Sequence, residues 1–371
     1  MRLHRLLDPL LTRLPALRRR PGRPSGVLFI SAGGLGDTVL FALVLPRLMA
    51  LAGPGETVTV LLRADAARMA FVFPAGVAVR KVDFARLRDI GYRRQMAREL
   101  YDAHYRLVVH TDYLRHPDLD EFLVRAAHAP ETAAMEPRPS AKHGRRLAAN
   151  RRRYTRLFES GPPATDKLVR WARFADFLTG RPLPPPQVLL PAASLPEPQV
   201  QAAPTVLFQP FSAVKLKQSP PELWALIARA LPAGWRVKLA GHPSDLDKNP
   251  EFRALLDLPN VELEGAPFDR LAAVIRGCRL VVSVDTACMH LAVALGAPTL
   301  CLASAAYVGE IVPYAPEVTP ANAHFLTQPM DCQGCLGACS KVPERGMYPC
   351  VAALDPDLVL GAVADIIARG L

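Results

Sequence analysis

The chain has 371 residues, half of them apolar and about a fifth charged, enough for two cores and too rich in apolar side chains for general disorder. Lys and Arg number 45 against 34 Asp and Glu, a formal charge of +11, and the clustering of that excess points to an acidic partner. No run of eighteen uncharged apolar residues occurs, which excludes a spanning helix, and the first twenty residues lack the unbroken apolar stretch of a secretory signal.

Residues 1–25 form a basic amphipathic segment. Leu3, Leu7, Leu10, Leu14 and Leu17 recur at three- and four-residue steps among Arg2, Arg5, Arg13 and Arg18 to Arg20, the spacing of one helical face. Such a helix either lies on an anionic membrane surface or docks on the protein with a solvated basic side. Pro9 and Pro15 are expected to interrupt it in either case.

From Val27 strands and helices alternate. Val27–Ile30 reads as a strand, 31–37 as a glycine-rich turn and 38–51 as a helix. Strand Val58–Leu62, helix 64–73, strand Val77–Val82 and strand Leu107–His110 follow. Residues 137–158 carry Arg138, Lys142, Arg145, Arg146, Arg151, Arg152, Arg153 and Arg156 with no acidic residue among them. So dense a run repels itself and suits an anionic partner. Aromatic interleaving is limited to Tyr154 and Phe158, which disfavours nucleic acid.

Residues 181–204 hold eight prolines, the composition of a stiff extended linker. Alternation resumes after it: strands at 205–209, 236–240, near Val261, 280–284 and 299–302, with helices at 221–230, 268–276, 286–295 and 355–370. The domains expected are therefore 26–180, a linker over 181–204, 205–354 and a terminal helix over 355–371. Alternating elements argue parallel sheets covered on both faces. Two such halves suggest a bilobal protein with a cleft, ligands sitting outside the carboxyl ends of the strands.

Three segments could carry chemistry. In Ser31-Ala-Gly-Gly-Leu-Gly-Asp37, glycines allow close backbone approach, and Asp37 is either a helix N-cap or a proton acceptor for a substrate hydroxyl. In Ser212-Ala-Val-Lys215-Leu-Lys217, a lysine at a strand end either solvates the surface or neutralises phosphate. In Val284-Asp285-Thr286-Ala-Cys-Met-His290, a strand delivers Asp285 and Thr286 to a helix start, whose free N–H groups form an anion site. Asp285 could equally be a cap and His290 a satisfied core histidine. Gly241-His-Pro-Ser-Asp245 offers polar groups that could contact a nucleoside.

Cys332, Cys335, Cys339 and Cys350 form a separate cluster, for which a structural zinc or iron is expected ahead of unbound reduced thiols, and those ahead of disulfides. Cys278, Cys288 and Cys301 sit in apolar stretches and read as core thiols.

Gly34-Leu-Gly36-Asp37-Thr38 with Pro46, then Ser212 through Lys217 to Pro220, then Asp285-Thr286-x-x-x-His290-Leu-Ala with Gly296-x-Pro298, resemble glycosyltransferase family 9, the heptosyltransferases of lipopolysaccharide synthesis. The resemblance implies a GT-B fold, an α/β architecture of two Rossmann-like lobes facing across a cleft. It further implies inverting transfer without a catalytic metal, with Asp37 as general base and Gly36, Ser212, Lys217, Asp285, Thr286 and His290 on an ADP-sugar. The acceptor would be an anionic glycolipid or glycan, and the enzyme would work in the cytoplasm at the inner face of the inner membrane. Transfer to a protein acceptor, a sugar-nucleotide epimerase and a non-catalytic basic binding protein of the same fold are the alternatives.

Overall fold

The computed structural model describes residues 3–370, leaving aside the side chains of residues 3–5, and divides into two compact units. The first comprises the residues up to Pro163 with Arg170–Pro184, the second Ala164–Val169 with Pro185 onward. The change at Pro184–Pro185 falls within the proline-rich segment, which carries a single 3-10 turn, Ala192–Ser194.

In chain order the first part of the molecule contains α1 (Leu3–Ala16), β1 (Val27–Ser31), α2 (Leu35–Met49), β2 (Val58–Arg63), β3 (Val77–Val82), α3 (Ile90–Asp102), β4 (Leu107–His110), α4 (Asp120–Ala127), β5 (Glu131–Met135), α5 (Gly144–Asn150), β6 (Arg156–Phe158) and α6 (Lys167–Thr179). The six strands of unit 1 pair in the order β3-β2-β1-β4-β5-β6, every pair parallel. β1 and β4 are buried along their whole length, which is why they read as unbroken apolar runs. α2 is buried from Thr38 through Leu45. Its Phe41 ring packs 6.4 Å from Phe29 and 5.6 Å from Trp171, a contact whose truncation to alanine in a core costs roughly 3–5 kcal/mol.

Pro9 does not interrupt α1, and Pro15 falls in its last turn. Packing of the inward face, where Asp8, Leu11 and Thr12 are buried, outweighs the missing backbone bond. The expected helix over 64–73 is instead a 3-10 helix, Ala66–Val72, started by Asp65, whose side chain accepts from the Ala66 N–H. Pro74 denies it the length of an α-helix.

Unit 2 contains β7 (Thr205–Gln209), α7 (Pro221–Ala230), β8 (Arg236–Ala240), α8 (Pro243–Lys248), β9 (Val261–Glu264), α9 (Phe268–Gly277), β10 (Leu280–Val284), α10 (Ala287–Ala294), β11 (Thr299–Leu302), β12 (Ala323–Leu326), α11 (Pro349–Ala352) and α12 (Pro356–Arg369). Its parallel sheet runs β12-β11-β10-β7-β8-β9. Phe208, Trp224, Phe252 and Val282 fill the core together with Val359 and Ile366 of α12.

Both sheets thus follow one plan. The first strand of each lies in the middle, flanked by the second and the fourth. The chain therefore leaves β1 toward one edge and β4 toward the other, and likewise β7 and β10. At such a switch the loops diverge and open a crevice at the carboxyl ends of the strands.

Candidate active site

In unit 1 the switch lies between β1 and β4, and its two loops are sewn together. The Ala32 N–H donates to Asp112 Oδ2 at 2.6 Å, and the Thr111 N–H and hydroxyl both donate to the Ile30 carbonyl at 3.0 Å. Trp171 Nε1 holds the Thr111 carbonyl at 2.7 Å. Asp37 stands in the first turn of α2, with Gly36 beside it, and the N-cap is Gly34. The reading of Asp37 as N-cap is therefore corrected: the residue sits three positions inside, and its Oδ2 accepts the Gly34 N–H at 2.6 Å. The side chain folds back so far that a Cβ on Gly33 would come within 2.5 Å of Asp37 Cβ and 2.7 Å of its Oδ2. Glycine is required at 33 for space, so that the carboxylate can occupy this position.

Beside this loop lies a cavity of about 540 Å³ within unit 1, lined among others by Ala32, Arg63, Arg115, His116, Arg138 and His143. Arg63 ends β2 and is held charged chiefly by its hydrogen bond to Asp65, with Asp37 adding to the field. Arg115 is buried against Glu121 at 3.0 Å, yet its Nη2 has no hydrogen-bond partner among the described residues. A buried donor left unpaired is costly, and an anionic group would relieve it. The His116 and His143 rings stand 4.9 Å apart. Burial, opposed by Asp120 and Asp118, depresses the His116 imidazole below its ordinary value, so the ring is neutral at neutral pH.

None of Arg63, Arg115, His116 and His143 is visible as a site residue from sequence. They come from the ends of β2 and β4 and the approach to α5. Only the rule that ligands gather at carboxyl ends of parallel strands could have drawn attention to them.

The basic run resolves into fixed and open members. Arg146 pairs with Asp118 and Arg151 with Glu136, and Arg156 donates to the carbonyls of Phe177 and Leu178. Lys142, Arg145 and Arg152 remain exposed.

In unit 2 the switch lies between β7 and β10, and Lys217 crosses it. The residue ends a 3-10 turn, Lys215–Lys217, on the loop after β7. Its Nζ lies 2.6 Å from Asp285 Oδ1, 2.8 Å from the Asp285 carbonyl and 4.7 Å from the Tyr307 ring centre. Ser304, just after β11, donates to Asp285 Oδ2 at 3.1 Å. Burial pushes the Asp285 carboxyl up, while Lys217 and Ser304 pull it back toward ionisation. Asp285 is thus not the cap of α10. That position belongs to Thr286, whose hydroxyl makes no cap hydrogen bond and lies 3.4 Å from the Ser283 hydroxyl. The start of α10 therefore offers N–H groups and the positive end of its dipole with no side chain over them.

The other candidates fall into place around this pair. Ser212 accepts the Val214 N–H at its hydroxyl, and its carbonyl accepts from Gln218 Nε2. The Ser219 hydroxyl is buried without a partner among the described residues. His290 is buried, its Nδ1 sharing a 2.6 Å hydrogen bond with the Tyr314 hydroxyl, the environment of a satisfied core histidine. Lys215 stays at the surface, 3.5 Å from Glu251. In 241–245 the polar groups serve the start of α8: His242 accepts the Ser244 N–H, and Asp245 accepts the His242 N–H.

The structure gives no support to the metal centre expected at the cysteine cluster. All four thiols are free, and among the described residues no set of three or more His, Cys, Asp or Glu side chains is arranged to hold a metal ion. Their segment is held by other means. Met347, Tyr348, Cys350 and Val351 pack with Ala305, and Cys339 packs against that group. Cys278, Cys288 and Cys301 are buried, and burial raises each thiol, to about 12 for Cys278 and Cys288. They are inert core residues.

Residues 122–337 match the model of glycosyltransferase family 9 (heptosyltransferase), more than half of the chain. The chain belongs to this family and is a glycosyltransferase. No curated protein matches it in sequence. Among solved structures it is similar to the ADP-heptose lps heptosyltransferase II of E. coli, with 16% identity, 93% of this chain and 99% of that chain covered, and a TM-score of 0.64. It is similar to a family 9 glycosyl transferase of Veillonella parvula DSM 2008, with 16% identity, coverage of 95% and 100%, and a TM-score of 0.67. E. coli heptosyltransferase WaaC with ADP-2-deoxy-2-fluoro heptose gives 19% identity, coverage of 93% and 99%, and a TM-score of 0.65. At these identities the likeness establishes the fold, the α/β GT-B architecture of two parallel six-stranded sheets.

Proposed function

We propose that the chain transfers a heptose or related sugar from an ADP-linked donor, held by unit 2, to a hydroxyl of an anionic glycolipid or glycan, held by unit 1. The observation that carries this reading is the Lys217–Asp285 pair beside the uncapped start of α10. A cation held by a buried carboxylate, next to free helix N–H groups, suits a diphosphate. WaaC, whose fold this chain shares, has been solved with an ADP-sugar analogue.

The reaction is a single displacement. The acceptor oxygen bonds to the anomeric carbon as the bond from that carbon to the diphosphate oxygen breaks, inverting the centre. The acceptor proton passes to the Asp37 carboxylate, and the electron pair of the broken bond leaves on ADP. Charge develops on the diphosphate, where Lys217, Thr286 and the first N–H groups of α10 stabilise it. Gly36, Ser212 and His290 belong to the same proposed set, Gly36 through the loop that carries Asp37 and the other two around the donor. The arginine-rich cavity beside Asp37 supports an acidic acceptor, since Arg63, Arg115 and Arg138 converge on it. An acidic lipid-linked acceptor would place the enzyme at the cytoplasmic face of the inner membrane.

Asp37→Asn tests the base. Transfer should fall at least about a hundredfold, while ADP still raises the melting temperature as in the native chain. Full transfer by this variant removes Asp37 from the mechanism.

A further inference from the structure

Helix α1 is fastened to unit 1 by one face. The Asp8 carboxylate receives Arg93 Nε at 2.6 Å and Nη2 at 2.8 Å, a bidentate pair out of water. Leu11 and Thr12 are buried beside it, and His128 Nε2 meets the Thr12 carbonyl at 2.8 Å. The chain leaving the helix is held as well. Arg20 donates to the carbonyls of Tyr101, Ala127 and His128, and Tyr101 donates to the Arg18 carbonyl at 2.7 Å.

The outward face is the anomaly. Leu6, Leu10, Leu14 and Leu17, spaced by four, four and three residues, are 60%, 53%, 43% and 82% exposed. One exposed leucine needs no explanation, but a stripe of them on a firmly docked helix marks an interaction surface. Arg13 lies within the stripe, and Arg18, Arg19 and Arg23 follow it, all exposed. Asp8 is the only acidic residue before Asp37, and it is consumed by Arg93.

Of the arginine run, Arg153 is near enough to act electrostatically on Arg125. Arg125 stands 3.5 Å from Asp8, and its guanidinium is lowered to about 10, first by burial and then by Arg153, with Arg93 and Arg13 adding to the effect. Apolar side chains flanked by cations, with no exposed carboxylate among them, complement an anionic lipid surface. Leucines enter the acyl boundary while guanidinium groups reach headgroup phosphates. A second copy is a poor occupant, because it would set arginine against arginine across the contact. Among the described residues no helix is long and apolar enough to cross a membrane, so attachment would be in the plane of the interface.

We propose that the outer face of α1 is a membrane-docking surface, seating unit 1 on a bilayer rich in anionic phospholipid. Leu6, Leu10, Leu14 and Leu17 would enter the boundary, and Arg13, Arg18, Arg19 and Arg23 would engage the phosphates. This inference names the element by which the enzyme of the preceding section meets its membrane, but its test requires neither donor nor acceptor.

The full chain is sedimented with vesicles of phosphatidylcholine alone and with vesicles containing phosphatidylglycerol. Binding is expected to the second only, weakened by salt, and at least about tenfold weaker for the triple variant Leu10→Ser, Leu14→Ser, Leu17→Ser. Arg18→Gln with Arg19→Gln should lose binding to a smaller degree and flatten the salt dependence. All five side chains are exposed, so the melting temperature and its rise with ADP should stay as in the native chain. Equal binding to both vesicles, undiminished binding by the leucine variant, or no binding at all overturns the proposal. So does an oligomer that the leucine variant dissolves in the absence of lipid. Loss of transfer with vesicle binding intact would count against the transfer reading alone.

Discussion

The Lys217 ammonium lies 2.6 Å from the Asp285 carboxylate, joining residues 68 positions apart where the sheet of unit 2 turns its chain in opposite directions. Each needs the other. Asp285 is too deeply buried to stay ionised alone, and Lys217 is aimed by it.

Lys217→Ala should therefore cost more than a phosphate contact. It strands a buried carboxylate, a change worth roughly 3–5 kcal/mol, and ADP affinity should fall with it. Burial already pushes Asp285 up, and without the ammonium its carboxyl rises further above the unfolded value. The variant is then favoured in its protonated form, and its stability should decline as pH rises from about 4, the unfolded carboxylate value, toward neutrality. Urea unfolding across that range, beside the native chain, measures this; a pH-independent deficit contradicts it.

Gly33→Ala should impair transfer without touching the donor side. The added Cβ meets Asp37 Cβ at 2.5 Å, so the carboxylate must move, and a misplacement of that size costs about a hundredfold in rate. Gly34→Ala is the control, because its nearest atom is Asp37 Oδ2 at 3.7 Å. Steady-state kinetics should show kcat falling for the first variant much more than for the second.

Arg63→Gln and Arg138→Gln address the acceptor. Each removes a cation from the cavity beside Asp37, and a charged hydrogen bond of about 1.5–3 kcal/mol corresponds to a rise in acceptor KM of tenfold or more. The KM for the donor should not change. An unaltered acceptor KM would detach this cavity from acceptor binding.

Acid sensitivity should concentrate at the opposite end of the unit 1 sheet. Glu56 receives Arg106 through both carboxylate oxygens and also takes the N–H groups of Gly26 and Gly53. Its carboxyl is lowered to about 2, chiefly by the Arg106 hydrogen bond. A depressed carboxylate contributes its stability above the unfolded value near 4.3 and loses it as pH falls toward the folded value. Glu56→Gln should thus be clearly destabilised at pH 7 and approach the native chain near pH 2.5 in denaturant titrations.

Sequence alone reaches the elements whose burial leaves a simple pattern. β1, β2, β4, β7, β10 and β11 are bounded apolar runs because parallel strands are covered on both faces. β5 escapes notice because Glu-Thr-Ala-Ala-Met carries little strand preference, and β6 lies hidden at the end of an arginine run. The charges of α3, Ile-Gly-Tyr-Arg-Arg-Gln-Met-Ala-Arg-Glu-Leu, mask its apolar stripe. Lys217 and Asp285 are each conspicuous at a strand end, but their contact depends on strand order, which no local spacing encodes. The cavity residues are fainter still, each being an ordinary loop arginine or histidine until three loops converge.

The Asp8–Arg93 pair gives the N-terminal helix a second meaning. Arg93 is sealed within unit 1, with its planar group over the Phe122 ring at 3.7 Å, and among the described residues Asp8 is its counter-ion. Removal of α1 would do more than take away the face proposed to dock on lipid. It would leave an unneutralised guanidinium between α3 and α4, loosening the fold that carries Asp37. Loss of the whole helix would therefore remove the proposed docking face and the counter-ion of Arg93 together.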